Sequence, residues 1–293
     1  MKQAMKMKQL ALMSMLALAA PAGFAQTVAG NASTAYVVTG ASTLMGTGYA
    51  GISMPGTNPP TTNPVDQSGI VSFKYGPIAQ ANTALGGLTG NGYIVLGGVT
   101  MSETWKTTLA SGTDIYAYRQ IAAPLTGYPH FGGEVIAKVP GYEVYFGEWA
   151  PKGSNTGTGH DNNLNMSSSL RTVYYVGENP TTSMPTLTNA QYDVVGIRKY
   201  DPDSPATTLS TGTLTANYGG GSGTLKGTLT GGAGTVFFGS NALPQTTISS
   251  NGTFQNTAGT IQGQFYGSGA EALAGIYNAG NSQTSVAFGG VKQ

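Results

Sequence analysis

Two histidines, His130 and His160, twelve acidic residues and not one cysteine are what 293 residues offer for acid–base, nucleophilic or metal chemistry. Cysteine nucleophiles, disulfide scaffolds, thiolate zinc sites and iron–sulfur clusters are excluded, because each needs a residue the chain lacks. A hydrolytic triad needs a base beside its nucleophile, usually histidine, and no Gly-x-Ser-x-Gly elbow stands between a strand and a helix. Glu134, Glu143 or Glu148 with Asp114 could form a carboxylate pair of the glycosidase kind, but twelve scattered acids produce such pairs by chance. The glycine string 219–223 has no helix after it and reads as a turn, not as a dinucleotide loop.

The two histidines differ in setting. His130 lies in Gly127-Tyr128-Pro129-His130-Phe131-Gly132-Gly133, where proline and glycines hold an imidazole on a turn with Tyr128 and Phe131 beside it. Such a residue either caps a backbone carbonyl or presents a ring nitrogen to a ligand. His160 lies in Gly157-Thr158-Gly159-His160-Asp161-Asn162-Asn163, inside a long polar stretch. It is either a solvated loop residue or a donor on a lid, with Asp161 or Asn162 fixing its tautomer. Along residues 142–149 the alternation puts Tyr142, Val144, Phe146 and Glu148 on one face and Glu143, Tyr145, Gly147 and Trp149 on the other. Most of these aromatics, with Trp105, read as core.

Only strands can position these loops. Charged residues make up 9% of the chain, against roughly 25% in an average soluble domain. With a net charge of +1 there is no basic surface for nucleic acid, and neither a disordered tail nor a coiled coil has this composition. Period-2 alternation between Gly, Asn, Pro and Asp punctuation predicts strands over 35–39, 70–75, 93–101, 114–121, 134–139, 142–149 and 170–176, with no sustained helical period anywhere. Residues 54–64 and 151–169 read as long polar loops, and the two prolines of 179–185 as a linker. Beyond it come eight closely spaced runs, 192–200, 207–218, 223–230, 234–239, 245–254, 260–266, 271–278 and 284–288. Eight short strands joined by hairpins can close and abolish their edges, so a small antiparallel barrel is predicted.

At the other end, Lys2, Lys6 and Lys8 precede an apolar run from Leu10 to Ala20 and the small residues of Pro21-Ala22-Gly23-Phe24-Ala25. This reads as a signal peptide over 1–25, cut after Ala25 or, as an alternative, after Ala22. Without its three lysines, ten basic residues face twelve acidic ones. With no cysteine after the apolar run to take a lipid, the expectation is an exported, unanchored protein.

Within the presumptive barrel, residues 263–275, Gly-Gln-Phe-Tyr-Gly-Ser-Gly-Ala-Glu-Ala-Leu-Ala-Gly, followed by Phe288-Gly289-Gly290, resemble the last hairpins of the transferrin-binding protein B β-barrel family. Lacking the lipidated cysteine, the chain is similar to the soluble branch, the hemophilin-type hemophores. The resemblance covers about residues 190–293. It implies an all-β protein with a β-rich, handle-like ligand-binding domain over 26–189 and a small eight-stranded antiparallel β-barrel over 190–293. It further implies a secreted heme-binding protein whose partners are heme, haemoglobin as a source, a TonB-dependent outer-membrane receptor and a surface lipoprotein assembly modulator for export, with no enzymatic role. Iron protoporphyrin IX needs an axial donor, apolar cover and partners for its propionates. On this resemblance His130 and His160 become candidate iron ligands, Tyr128 and Phe131 candidate porphyrin cover, and Lys106, Arg119 and Arg171 cations to watch near the propionates. Two other functions compete: capture of a host iron protein, and an outer-membrane barrel, whose strands would run about ten residues.

Overall fold

A computed structural model describes residues 26–55, 69–122, 131–154, 162–240 and 245–293. The signal-peptide expectation and Tyr128, His130 and His160 therefore lie outside the described residues.

Sheets dominate, in three layers. The central layer is a seven-stranded antiparallel sheet of β1 (Val28–Ala32), β5 (Gly90–Leu96), β6 (Val99–Thr108), β7 (Asp114–Gln120), β8 (Gly133–Lys138), β9 (Val144–Ala150) and β10 (Thr172–Glu178). Strands β5 to β10 follow one another as a meander, and β1 closes the far edge by pairing with β10. One face of this sheet is covered by a small sheet of β2 (Val38–Ala41), β3 (Ala50–Ser53) and β4 (Val71–Ser72), with helix α1 (Pro77–Ala84).

The third layer is the barrel. Its strands are β11 (Leu187–Ile197), β12 (Leu209–Gly219), β13 (Ser222–Gly231), β15 (Thr246–Ile248), β16 (Thr253–Asn256), β17 (Ile261–Tyr266), β18 (Ala272–Tyr277) and β19 (Val286–Lys292), while the short β14 (Val236–Gly239) pairs with the same edge of β13 as β15 does, further along the strand. Pairing of β12 with both β11 and β13 closes the eight-strand antiparallel ring. The all-β class and the closed barrel therefore agree with the sequence reading. Inside the ring Tyr192, Leu214, Leu225, Phe238, Phe254, Phe265, Leu273 and Phe288 form a separate core. Phe254 meets Phe265 edge-on at 5.4 Å and Phe288 in a stack at 6.2 Å, arrangements aromatic rings favour.

Four details depart from the alternation reading. The predicted 93–101 strand is a hairpin, β5 and β6, turned at Gly97 and Gly98, whose φ of +59° and +82° only glycine adopts freely. The predicted 245–254 run is two strands, β15 and β16. Helix α1 carries only two buried residues, Ile78 and Ala81, so its apolar stripe is too thin to show a period. Strand β1, Val-Ala-Gly-Asn-Ala, has poor strand formers and is ordered by its partner β10.

The central sheet and the barrel share one core. Trp105, Ile115, Val135, Ala137, Val144, Phe146, Val173 and Tyr175 of the sheet pack on Val195, Ile197, Tyr266, Ala274, Ile276 and Ala287 of the barrel wall. Two rings set the fit. Phe146 of β9 lies where a Cβ on Gly289 would stand, and Tyr266 of β17 lies where one on Gly177 would stand. The Phe-Tyr and Phe-Gly pairs of the barrel motif thus point both ways: Phe265 and Phe288 fill the ring, while Tyr266 and Gly289 dock the sheet.

Candidate ligand-binding face

Register sorts the side chains of the central sheet. On the barrel side, one cross-strand row runs Trp105, Ala117, Val135, Glu148, Val173. On the distal side, the adjacent row runs Thr104, Tyr118, Glu134, Trp149, Thr172, and the next Lys106, Tyr116, Ile136, Gly147, Tyr174. The predicted alternation of residues 142–149 holds, with Val144 and Phe146 toward the barrel and Tyr145 and Trp149 away from it.

The barrel side is a joint. Arg171 and Glu148, both fully buried, form an ion pair, with Arg171 Nε donating to Glu148 Oε2 at 2.6 Å. Glu148 also accepts from the backbone N–H of Lys199 at 3.0 Å and of Tyr200 at 2.6 Å, while Arg171 donates to the carbonyls of Ser282 and Ser285. One ion pair therefore ties the sheet to two barrel loops. Arg119 donates to Glu103 at 2.9 Å on the same side, both buried. Lys106 pairs with Asp114 at 3.5 Å and lies over the Tyr116 ring. The structure thus corrects the expectation for the three cations: each is engaged in an intramolecular ion pair, and two of them face the barrel. The carboxylates proposed as a pair are also separated. Glu148 and Glu134 lie on opposite faces, Asp114 is two rows from Glu134, and Glu143 is engaged with Lys138 at 2.7 Å.

The distal side behaves differently. Thr104 Oγ1, Tyr118 OH, Glu134 Oε1 and Trp149 Nε1 are buried and have no hydrogen-bond partner among the described residues. They are four consecutive members of one row, on β6, β7, β8 and β9, and each residue is at most 2% exposed. Adjacent members stand about 5 Å apart at Cβ. Native proteins leave few buried polar groups unpaired, so four neighbours in register are a feature to be explained. Burial pushes the Glu134 carboxyl up to about 8, and burial first and Glu134 second hold the Tyr118 hydroxyl well above its ordinary range. Thr172, the next member, is satisfied by Thr34 at 2.6 Å. In the following row, the Tyr174 hydroxyl reaches over Gly147 to donate to the Val135 carbonyl at 2.9 Å.

Rings surround the row. Tyr116, Tyr118, Tyr145, Trp149, Tyr174, Phe73 and Ile136 belong to one cluster, and Tyr36 lies 6.4 Å from Trp149 between ring centroids. Phe131, predicted as ligand cover, packs half-buried against this cluster. The row also stands near the end of the sheet from which both histidine-bearing connections leave. Gly132 and Gly133 lie against the backbone of Ala150, Pro151, Lys152 and Leu164, Lys152 Nζ donates to the Ile121 carbonyl at 2.6 Å, and Asn165 Nδ2 to that of Pro151 at 2.7 Å. The described roots of the two loops are thus brought together, although 30 positions separate the histidines. Among the described residues, no group of three His, Asp or Glu side chains could hold a metal ion.

Aromatic rings, buried polar atoms without partners among the described residues, and the roots of two loops are thus gathered on one buried face. Sequence reasoning did not group Thr104, Tyr118 and Glu134. Alternation gave their face, but only the register of four strands aligns them.

Residues 182–292 match the family model of the HphA C-terminal domain. Among solved structures, the chain is similar to a transferrin-binding protein B of Actinobacillus pleuropneumoniae, at 15% identity over 54% of this chain and 80% of that one, with a TM-score of 0.34. It is also similar to the isotype 1 transferrin-binding protein B of serogroup B Neisseria meningitidis, at 11% identity over 85% of this chain and 59% of that one, with a TM-score of 0.33.

Proposed function

We propose that the chain is an exported heme-capturing protein, whose β-rich N-terminal part holds iron protoporphyrin IX on the distal face of the central sheet. The match of residues 182–292 to the HphA C-terminal domain carries this reading, and the aromatic face with its orphaned polar row supports it. His130 and His160 are the proposed axial donors, with Tyr128 and Phe131 covering the porphyrin. Heme bound there supplies an iron centre to be carried, not a reaction. What the chain itself does is shield a hydrophobic, redox-active molecule from water. In this reading the signal peptide is removed near Ala25, a surface lipoprotein assembly modulator assists release from the cell, and heme passes to a TonB-dependent outer-membrane receptor.

Adding hemin to purified protein should give a sharp Soret band that saturates at one equivalent; a broad band that never saturates would sink the proposal. His130→Ala should shift the band or speed heme loss more than His160→Ala, and unchanged spectra in both would show the donors to be wrong.

A second reading, capture of a host heme- or iron-carrying protein such as haemoglobin, draws on β5, the terminal strand of the central sheet among the described residues. Residues 75–102 contain no charge, and Leu88, Tyr93, Val95 and Val99 are exposed on β5 and its flanks. Such an unguarded apolar edge suits strand-to-strand docking. Retention of haemoglobin by the wild type and its loss in Val95→Lys would favour this reading.

A further inference from the structure

We propose that the row Thr104, Tyr118, Glu134 and Trp149 is a carboxylate subsite, which takes the acidic rim of a flat apolar ligand and orients it on the distal face; this rests on the heme-binding reading. Four buried polar atoms in consecutive register lack partners among the described residues. Their chemistry is donor-rich. The indole offers only an N–H, the phenol and the threonine offer O–H groups, and a carboxyl kept neutral by burial offers a fourth. Tyr118 and Trp149 flank Glu134 on the two neighbouring strands, so the donors stand side by side across three strands. An anionic oxygen is the partner such a set satisfies best, because hydrogen bonds to an ionised acceptor are about twice as strong as neutral ones. A carboxylate set against the Glu134 carboxyl shares its proton in an O–H···O contact, and no cation is needed in the row. That agrees with the engagement of Arg119 and Arg171 on the opposite face. A decarboxylated rim would leave all four groups unpaired and an esterified rim offers only neutral carbonyl acceptors, so the row favours the free acid over both.

The test separates the rim from the iron. Metal-free protoporphyrin IX and its dimethyl ester are titrated into the full chain, read by quenching of the two tryptophans, with hemin titrated in parallel. The wild type should bind the free acid at least tenfold more tightly than the ester. Tyr118→Phe, Thr104→Val and Glu134→Leu should each weaken the acid several-fold and leave the ester unchanged. Trp149→Phe, read through the porphyrin absorbance, removes only an N–H and should do the same; circular dichroism confirms that each variant is folded. A wild type that saturates with hemin but does not distinguish acid from ester overturns the subsite and leaves the heme reading standing. Discrimination that persists unchanged in all four variants also overturns it, and means that the row holds only trapped water. A chain that binds neither hemin nor protoporphyrin overturns both.

Discussion

On the barrel side of the central sheet, buried charge comes in pairs: Glu148 with Arg171, Glu103 with Arg119. On the distal side of the same strands, one residue over, Thr104, Tyr118, Glu134 and Trp149 bring buried polar atoms that meet no partner among the described residues. Both faces are aromatic and both are buried, so hydrophobic burial does not tell them apart. The difference is one of arrangement: four buried polar atoms without partners among the described residues fall in a single cross-strand row on the distal side.

The largest effect that would break this comparison is expected at the joint. Glu148→Ala leaves Arg171 buried without its counter-charge and frees the N–H groups of Lys199 and Tyr200, and should cost about 3–5 kcal/mol, measured by urea denaturation. A loss below about 1 kcal/mol would mean that the pair does not hold the barrel to the sheet.

Next comes Glu134, whose substitution should stabilise the fold. Its folded-state value lies near 8, above the ordinary carboxylate value of 4.5, so the folded protein binds the proton more tightly than the unfolded chain. Stability is complete below the ordinary value and drains away as pH rises toward about 8, by about 1.4 kcal/mol per pH unit for this one group. Glu134→Gln removes that slope and should gain about 3 kcal/mol over the wild type at pH 7 and nothing at pH 4. Equal wild-type and variant profiles from pH 4 to 8 would show that Glu134 is not buried as described. Glu178, also raised by burial, contributes a slope of the same sign in both proteins, so the difference isolates Glu134.

The smallest effect sharpens the geometry of the joint. Gly289→Ala forces the Phe146 ring off its seat and should cost about 1–3 kcal/mol by overpacking. Pairing it with Phe146→Leu should restore part of the loss. Strictly additive losses in the double variant would place the two residues out of contact.

Much of the architecture was legible because a sheet side chain repeats every two residues. Strands β7 to β10 appear at nearly their observed limits, and the faces of residues 142–149 come directly from parity. The hairpin of β5 and β6 was not legible, since two glycines turn an otherwise apolar run without polar punctuation. Nor was α1, whose burial rests on two side chains. The candidate site was legible only in part. The sequence singled out Phe131, which packs on the distal cluster, but it offered Arg119 and Arg171 as propionate contacts when they are paired with Glu103 and Glu148.

By itself the sequence determined the class of the molecule. Scarce charge, abundant glycine, absent cysteine and period-2 runs leave an all-β chain with a closing barrel and a very short list of chemical donors. The tertiary structure decided which of those residues meet. Pairing register is a long-range property, fixed by the packing of whole faces and not by neighbours in the chain, and one residue of slip would turn every side chain to the other face. That register alone puts Glu148 against the barrel, and Glu134 between Tyr118 and Trp149 on the opposite face, beneath the small sheet and α1.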